Sequence, residues 1–322
     1  VAIYMAYKGL GVYALIYQTI IFSVLVSIFS FAFIRWFPSL RFSFYSLNVL
    51  FNFGSKLLFA SVVRTIVDNC YAILIGRFLS IKDVGYYTQG RNMPDVLSMN
   101  LYNVLQNVFF PLMSAHQDDK ERLLKIYKKG IQGTAFIIIP AMVGLMLIAE
   151  PFVRCVLSEK WDGAIIVIQW IALSRIIIPI SALNCSIINA VGRSDIYLKI
   201  DLLKLPLTVG ALMATFSFGL EVIVIGNAIV SAICFFINAY YPGKWFGFGA
   251  WEQLKNITPI ILCTLCMALP LYFIELDNKL LEMILKVAIG PIIYSIMCYL
   301  MKVETFMEIC TLLKSKINKE SA

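Results

Sequence analysis

Nine separate stretches of this chain are each long and apolar enough to cross a bilayer. A hydrocarbon core of about 30 Å needs roughly 20 apolar residues of helix to span it. Val12–Ile34 is continuously apolar rather than alternating, so it reads as a helix and not as a barrel strand. In hydrocarbon every backbone N–H and C=O must find an internal partner, which leaves only helices and closed barrels. The expected fold class is therefore all-α, a polytopic transmembrane helix bundle. Composition agrees, with 60% apolar and 14% charged residues, where soluble domains carry roughly 25% charged.

The predicted helices run over 9–34, 46–79, 84–116, 122–156, 162–190, 194–218, 221–241, 256–274 and 279–301. The two longest must tilt, kink or protrude, and Pro94, Pro111, Pro140 and Pro179 supply kink sites. Val1–Tyr7 looks like the tail of an apolar segment cut short, so further helices are expected upstream. Lys and Arg in alternate connections set the orientation. Fifteen lie on the side that includes the Lys120–Lys129 cluster and the C-terminal tail, and eight lie opposite. The richer side and the C-terminus are thus expected in the cytoplasm. The tail after Met301 carries Phe306, Ile309 and Leu313 on one side and is expected to lie on the membrane surface.

Several chemistries are disfavoured. His116 is the only histidine, which disfavours His-rich metal sites and Ser-His-Asp catalysis. The eight cysteines are scattered; Cys263 and Cys266 alone have CxxC spacing, mid-helix and without acidic neighbours, and read as packing residues. No P-loop, nucleophile elbow, zinc-protease or dinucleotide motif occurs. No enzyme activity, cofactor or metal is expected. The net charge of +8 is split over short loops with no stacking platform, so it suits anionic membrane lipids and not nucleic acid.

Charges inside membrane segments cost at least about 2.5–3.5 kcal/mol each and usually line a wet path. The second helix carries Lys56, Arg64 and Asp68; Arg64 and Asp68 are one turn apart and can pair, while Lys56 has no evident partner. The third helix repeats Thr88, Arg91, Asp95, Ser98, Tyr102 and Gln106 at spacings of three and four, making one face polar for five turns. Such a stripe suits a hydroxyl-rich ligand; the alternative is glue between helices. Arg175 has no acid within a turn and is a candidate anion contact. Asp195, Lys199, Asp201 and Lys204 open the sixth helix and read as a surface ion-pair cluster.

A set of short motifs follows in order. Phe53-Gly-Ser-Lys56 precedes Ile75-Gly-Arg77-Phe78 and Val84-Gly-Tyr86-Tyr87-Thr-Gln-Gly-Arg91. Then come Phe109-Phe-Pro111, Ala149-Glu-Pro-Phe-Val-Arg154, Ser158-Glu-Lys-Trp161 and Asn189-Ala-Val-Gly-Arg193-Ser-Asp195. Their order and spacing resemble the Wzx-type polysaccharide and O-antigen flippases, colanic-acid-type branch, of the multidrug/oligosaccharidyl-lipid/polysaccharide exporter superfamily.

The resemblance implies a MATE-like two-lobed bundle in a bacterial inner membrane, with most of the first lobe absent here. Residues 1–40 would end that lobe, 41–245 would form the six-helix second lobe, 246–301 two additional helices and 302–322 a cytoplasmic tail. The implied substrate is an undecaprenyl-diphosphate-linked oligosaccharide, with polysaccharide polymerase and chain-length proteins as further partners. The family's basic cavity maps onto Arg64, Arg91 and Arg175 as candidates. The rivals are a drug or cation antiporter, which would place buried acids in this lobe, and a membrane polymerase or ligase, which would need a long outer loop.

Overall fold

The computed structural model describes residues 4–5, 8–9, 13–34, 43–45, 51 and 69–320, excepting side chains at 15, 34, 313, 314 and 316–320. The chain divides into two compact units, Val1–Thr65 and Ile66–Ala322. The first contains α1 (Tyr13–Ile34), whose stretch Ile16–Phe33 has a mean hydropathy of 2.0 and is not buried. Ser23 and Ser27 turn their hydroxyls onto the carbonyls four residues back, at 2.9 and 2.8 Å, so neither leaves an unmet donor.

The second unit begins with helix α2, described over residues 69–78. Long helices follow: α3 (Ile81–Ser114), α4 (Lys120–Phe152), α5 (Gly163–Arg175), α6 (Ile177–Ala190), α7 (Ser194–Thr215), α8 (Leu220–Phe246), α9 (Ala250–Tyr272), α10 (Lys279–Leu300) and α11 (Glu304–Glu320). Four of the starts are capped by the residues the sequence supplies. Ser80, Asp119 and Asn278 each accept from backbone N–H groups of the first turn. Glu252 reaches back to the N–H of Gly249 at the start of α9, while Gly247 closes α8 in the left-handed conformation.

Six described helices are long and apolar enough to cross a membrane, with α5 and α6 counted as one broken span. Helices α3 and α7 have the length, 34 and 22 residues, but carry more charge. They are the walls of the site described below. The predicted span 46–79 lies mostly outside the described residues.

Helix α4 is central. It packs against α3, α5 and α6 on one flank and against α9, α10 and α11 on the other. Its contact face is apolar, with Leu123, Ile131, Ala135 and Met142 fully buried. In lipid the hydrophobic effect does not drive such contacts; close packing and interhelical hydrogen bonds do. Three prolines show how. Proline lacks an N–H, so it frees the carbonyl four residues earlier. Pro179 frees that of Arg175, and the Ser98 hydroxyl of α3 takes it at 3.0 Å. Pro140 frees Phe136, which Tyr294 of α10 takes at 3.0 Å. Pro151 frees Leu147, which Lys286 of α10 takes at 3.3 Å. Each kink is thereby tied to a neighbouring helix.

Past Pro151 the chain widens into a π turn, Val153–Leu157, and Ser158 takes φ 82, ψ 162, a region that favours glycine. This turn carries Ser158-Glu-Lys-Trp161 onto the start of α3. Tyr86 donates to the Lys160 carbonyl at 3.0 Å and meets Trp161 edge-on. Two motifs that carried the family resemblance thus touch each other. Arg154 pairs with Glu150 at 2.6 Å and with Asp162 at 3.3 Å beside them.

Candidate functional site

From Arg91 to Gln106 the polar stripe of α3 is buried or half-buried, while Thr88 at its start is exposed. Val96, Leu97, Val104 and Val108 point outward, whereas Tyr87, Pro94, Ser98 and Leu105 are buried against α5 and α6. This reverses the amphipathicity of a soluble helix, as expected when lipid is the solvent. The stripe does two different jobs along its length.

Its first half latches the break between α5 and α6. Arg175, the last residue of α5, is held twice: its carbonyl by Ser98 and its guanidinium by Asp95. Asp95 also binds Arg91 one turn back, at 2.6 Å. Arg91, Asp95 and Arg175 therefore form one cluster with a net charge of +1. Arg175 had no acid on its own helix, and its partner comes from α3. The side chain of Arg175 is 10% exposed, while Arg91 and Asp95 keep about a quarter of their surface open. Ser98 is fully buried and serves the backbone, so it is not a wall residue.

The second half opens into a cavity of about 330 Å³ between α3, α6, α7 and α8. Tyr102 and Gln106 are its α3 wall. The Ser186 hydroxyl, which donates to the Ala182 carbonyl at 2.8 Å, stands 3.3 Å from the Gln106 side-chain oxygen. Opposite stand Asp201, Lys204 and Thr208 of α7 with Asn227, Ser231 and Asn238 of α8. Lys204 binds the Asp201 carboxylate at 2.6 Å and the Asn238 side-chain carbonyl at 3.1 Å. These α7 residues were read from sequence as part of a surface ion-pair cluster. The structure corrects that for Asp201 and Lys204, which lie two turns inside the helix and line the cavity. Arg193 and Asp195 do form an exposed pair, at 2.9 Å.

A signal for the missed wall was present. Tyr197, Asp201, Lys204 and Thr208 are spaced four, three and four, and so are Asn227, Ser231, Cys234 and Asn238. Each set occupies one helical face, and the two faces meet where Lys204 binds Asn238, forming one wall of the cavity. Of the remaining sequence candidates, Lys56, Arg64 and Asp68 lie outside the described residues.

Two further buried polar clusters hold the bundle without facing this cavity. Tyr127, Asn184 and Gln253 join α4, α6 and α9: the Tyr127 hydroxyl donates to Asn184, and Gln253 donates to Tyr127 at 2.9 Å. Glu282 of α10 is buried between Lys286 at 2.7 Å and Lys279 at 3.0 Å.

A profile of the polysaccharide biosynthesis protein family matches residues 1–166, just over half of the chain. The chain belongs to this family. Within the polysaccharide biosynthesis proteins it is 30% identical over 196 residues to the lipopolysaccharide biosynthesis protein WzxC of Escherichia coli (strain K12), covering 61% of this chain and 38% of WzxC. It is 23% identical to the succinoglycan biosynthesis transport protein ExoT of Rhizobium meliloti (strain 1021), over 93% of this chain and 62% of ExoT. It is equally similar, at 23%, to the teichuronic acid biosynthesis protein TuaB of Bacillus subtilis (strain 168), over 81% of this chain and 55% of TuaB. The chain thus spans between about two fifths and three fifths of the length of these relatives.

Among solved structures it is similar to the lipid II flippase MurJ in an inward closed conformation. The TM-score is 0.64 at 15% identity, over 81% of this chain and 56% of MurJ. At that identity the likeness is one of fold. It places this family member among polytopic helical membrane proteins.

Proposed function

We propose that this chain moves undecaprenyl-diphosphate-linked oligosaccharide repeat units across the bacterial inner membrane for surface polysaccharide synthesis. The observation that carries the reading is the cavity between α3, α6, α7 and α8, lined by amides, hydroxyls and one ion pair inside an apolar bundle. Each sugar hydroxyl taken into an apolar medium without a partner costs on the order of 1–3 kcal/mol on protein scales. A repeat unit with several hydroxyls crosses bare lipid too slowly to be useful, and a polar wall removes most of that barrier. The neighbouring Arg91–Asp95–Arg175 cluster, with its net positive charge, supplies donors suited to a diphosphate. Membership in the polysaccharide biosynthesis family, with relatives in lipopolysaccharide biosynthesis and succinoglycan transport, supports the same substrate class.

The rest of the reading follows. Residues 41–245 form the six-helix lobe, 1–40 the end of a preceding lobe and 246–301 two additional helices. The amphipathic tail and C-terminus lie on the cytoplasmic face, and a polymerase and chain-length proteins take up the exported unit. Among the described residues the acids inside the bundle, Asp95, Asp201 and Glu282, are all ion-paired, which disfavours a cation antiporter. The test is deletion of the native gene. Lipid-linked oligosaccharide should accumulate on the cytoplasmic leaflet, accessible only to reagents admitted to the cytoplasm, while surface polysaccharide disappears. An unchanged lipid-linked pool would remove the flippase reading.

A further inference from the structure

The cavity wall carries one acid and one base, Asp201 and Lys204, and no other charged residue among those described. They neutralise each other at 2.6 Å, and Asn238 takes a further bond from the Lys204 ammonium at 3.1 Å. An ammonium held on two sides is poorly placed to draw a free anion. Asp201 differs. A carboxylate has about four acceptor positions, and this one keeps 41% of its side-chain surface open. Two more polar atoms of the wall, the Ser181 hydroxyl and the Asn227 side-chain oxygen, are buried with no hydrogen-bond partner among the described residues. Buried polar atoms left unmet cost about 1–3 kcal/mol each. Both are sealed off by their neighbours, so the open acceptor of the wall is the Asp201 carboxylate. The volume, about 330 Å³, sits at the low end of ligand pockets, which run from roughly 300 to 1,000 Å³.

We infer that this cavity is a subsite for a single uncharged sugar ring, in which Asp201 accepts two neighbouring ring hydroxyls and Lys204 with Asn238 fixes the carboxylate in place. The inference rests on the flippase reading and refines it. The neutral sugar and the diphosphate are recognised at different places, the sugar between α7 and α8 and the anion at the net-positive arginine cluster. Charge-assisted O–H···O⁻ bonds are about twice as strong as neutral ones, so one carboxylate suffices to select a hydroxyl-rich ligand.

The wall contains its own reporters, because Cys185 and Cys234 line the cavity and both are only half-buried. The full chain in lipid nanodiscs is alkylated with a small neutral thiol reagent, and each cysteine is followed by peptide-resolved mass spectrometry. The probes are glucose, galactose, rhamnose and N-acetylglucosamine, set against glucuronate and inorganic pyrophosphate. At least one neutral sugar should slow labelling of Cys185 and Cys234 about threefold at twice its dissociation constant, and leave the exposed Cys155 and Cys266 unaffected. Glucuronate and pyrophosphate should give no protection.

Asp201→Asn should keep the unprotected labelling rate and lose the protection. Asp201→Asn combined with Lys204→Gln removes both charges, so a merely structural ion pair predicts full protection in that double variant. Such protection, or none by any neutral sugar, or protection by pyrophosphate equal to that by sugar, would overturn the proposal. The outcome is independent of export. Sugar protection alongside an unchanged lipid-linked pool in the deletion strain would sink the flippase reading and leave the sugar subsite standing.

Discussion

Asp95 joins two arginines from two helices, and the loss of each partner should have a different cost. Asp95→Asn leaves Arg91 and Arg175 facing each other with no counter-charge. Exposed pairs contribute about 0.2–1 kcal/mol and breaking buried ones costs about 3–5. A cluster one-tenth to one-quarter open falls between, so Asp95→Asn should lower stability by about 1–3 kcal/mol. Arg91→Ala should cost less, because Asp95 keeps Arg175. Thermal unfolding of the purified chain followed by size-exclusion fluorescence checks both, and an Asp95→Asn midpoint equal to the parent would refute the bridge. The residues of α3 were legible in the sequence because a polar stripe in a membrane segment is conspicuous. The partner of Arg175 was not, since it lies 80 positions away and no local spacing encodes it. Asp201 and Lys204 were seen and misplaced, because their distance from the helix start looked short until α7 was set against the matching face of α8.

At the scale of elements, long apolar runs and proline positions were readable, while several bounds were not: the helix expected from 256 starts at Ala250, and the one expected to end at 241 runs on to Phe246. What one sequence could not give was where each proline-freed carbonyl finds a donor. Tyr294 on α10 reaches the carbonyl that Pro140 frees on α4, across 158 residues. That geometry makes a double-mutant prediction. Tyr294→Phe should destabilise the chain by about 1 kcal/mol, in the range of interhelical hydrogen bonds in membranes. With Pro140→Ala the helix regains its own N–H donor to Phe136, and Tyr294→Phe should then have little effect. Equal losses in both backgrounds, measured by unfolding in the same detergent, would show that the hydroxyl does not serve the kink. The shared 4-3-4 spacing on α7 and α8 is the element-scale signal that could have found the cavity.

For the whole molecule, nine apolar stretches and a polytopic all-α fold were the safest inference, since hydrogen-bond accounting in lipid allows little else. Orientation is the remaining global expectation. The basic excess on one side predicts a cytoplasmic C-terminus, and α11 is fastened to that side of α4 by Lys129 and Glu308 at 2.5 Å. A C-terminal GFP fusion should fluoresce and an alkaline phosphatase fusion should be inactive; the opposite pattern would invert the topology. The two kinds of buried ion pair also bear on how the chain is made. Glu282 and Lys286 are one turn apart on α10, so that helix can neutralise itself as soon as it coils and leave the translocon unaided. Arg175 has no such relief on its own helix, and its counter-charge, Asp95, is synthesised 80 residues earlier on α3. The α5–α6 segment is therefore neutralised only once it packs against α3, so its charge balance is a property of the assembled bundle and not of the span itself.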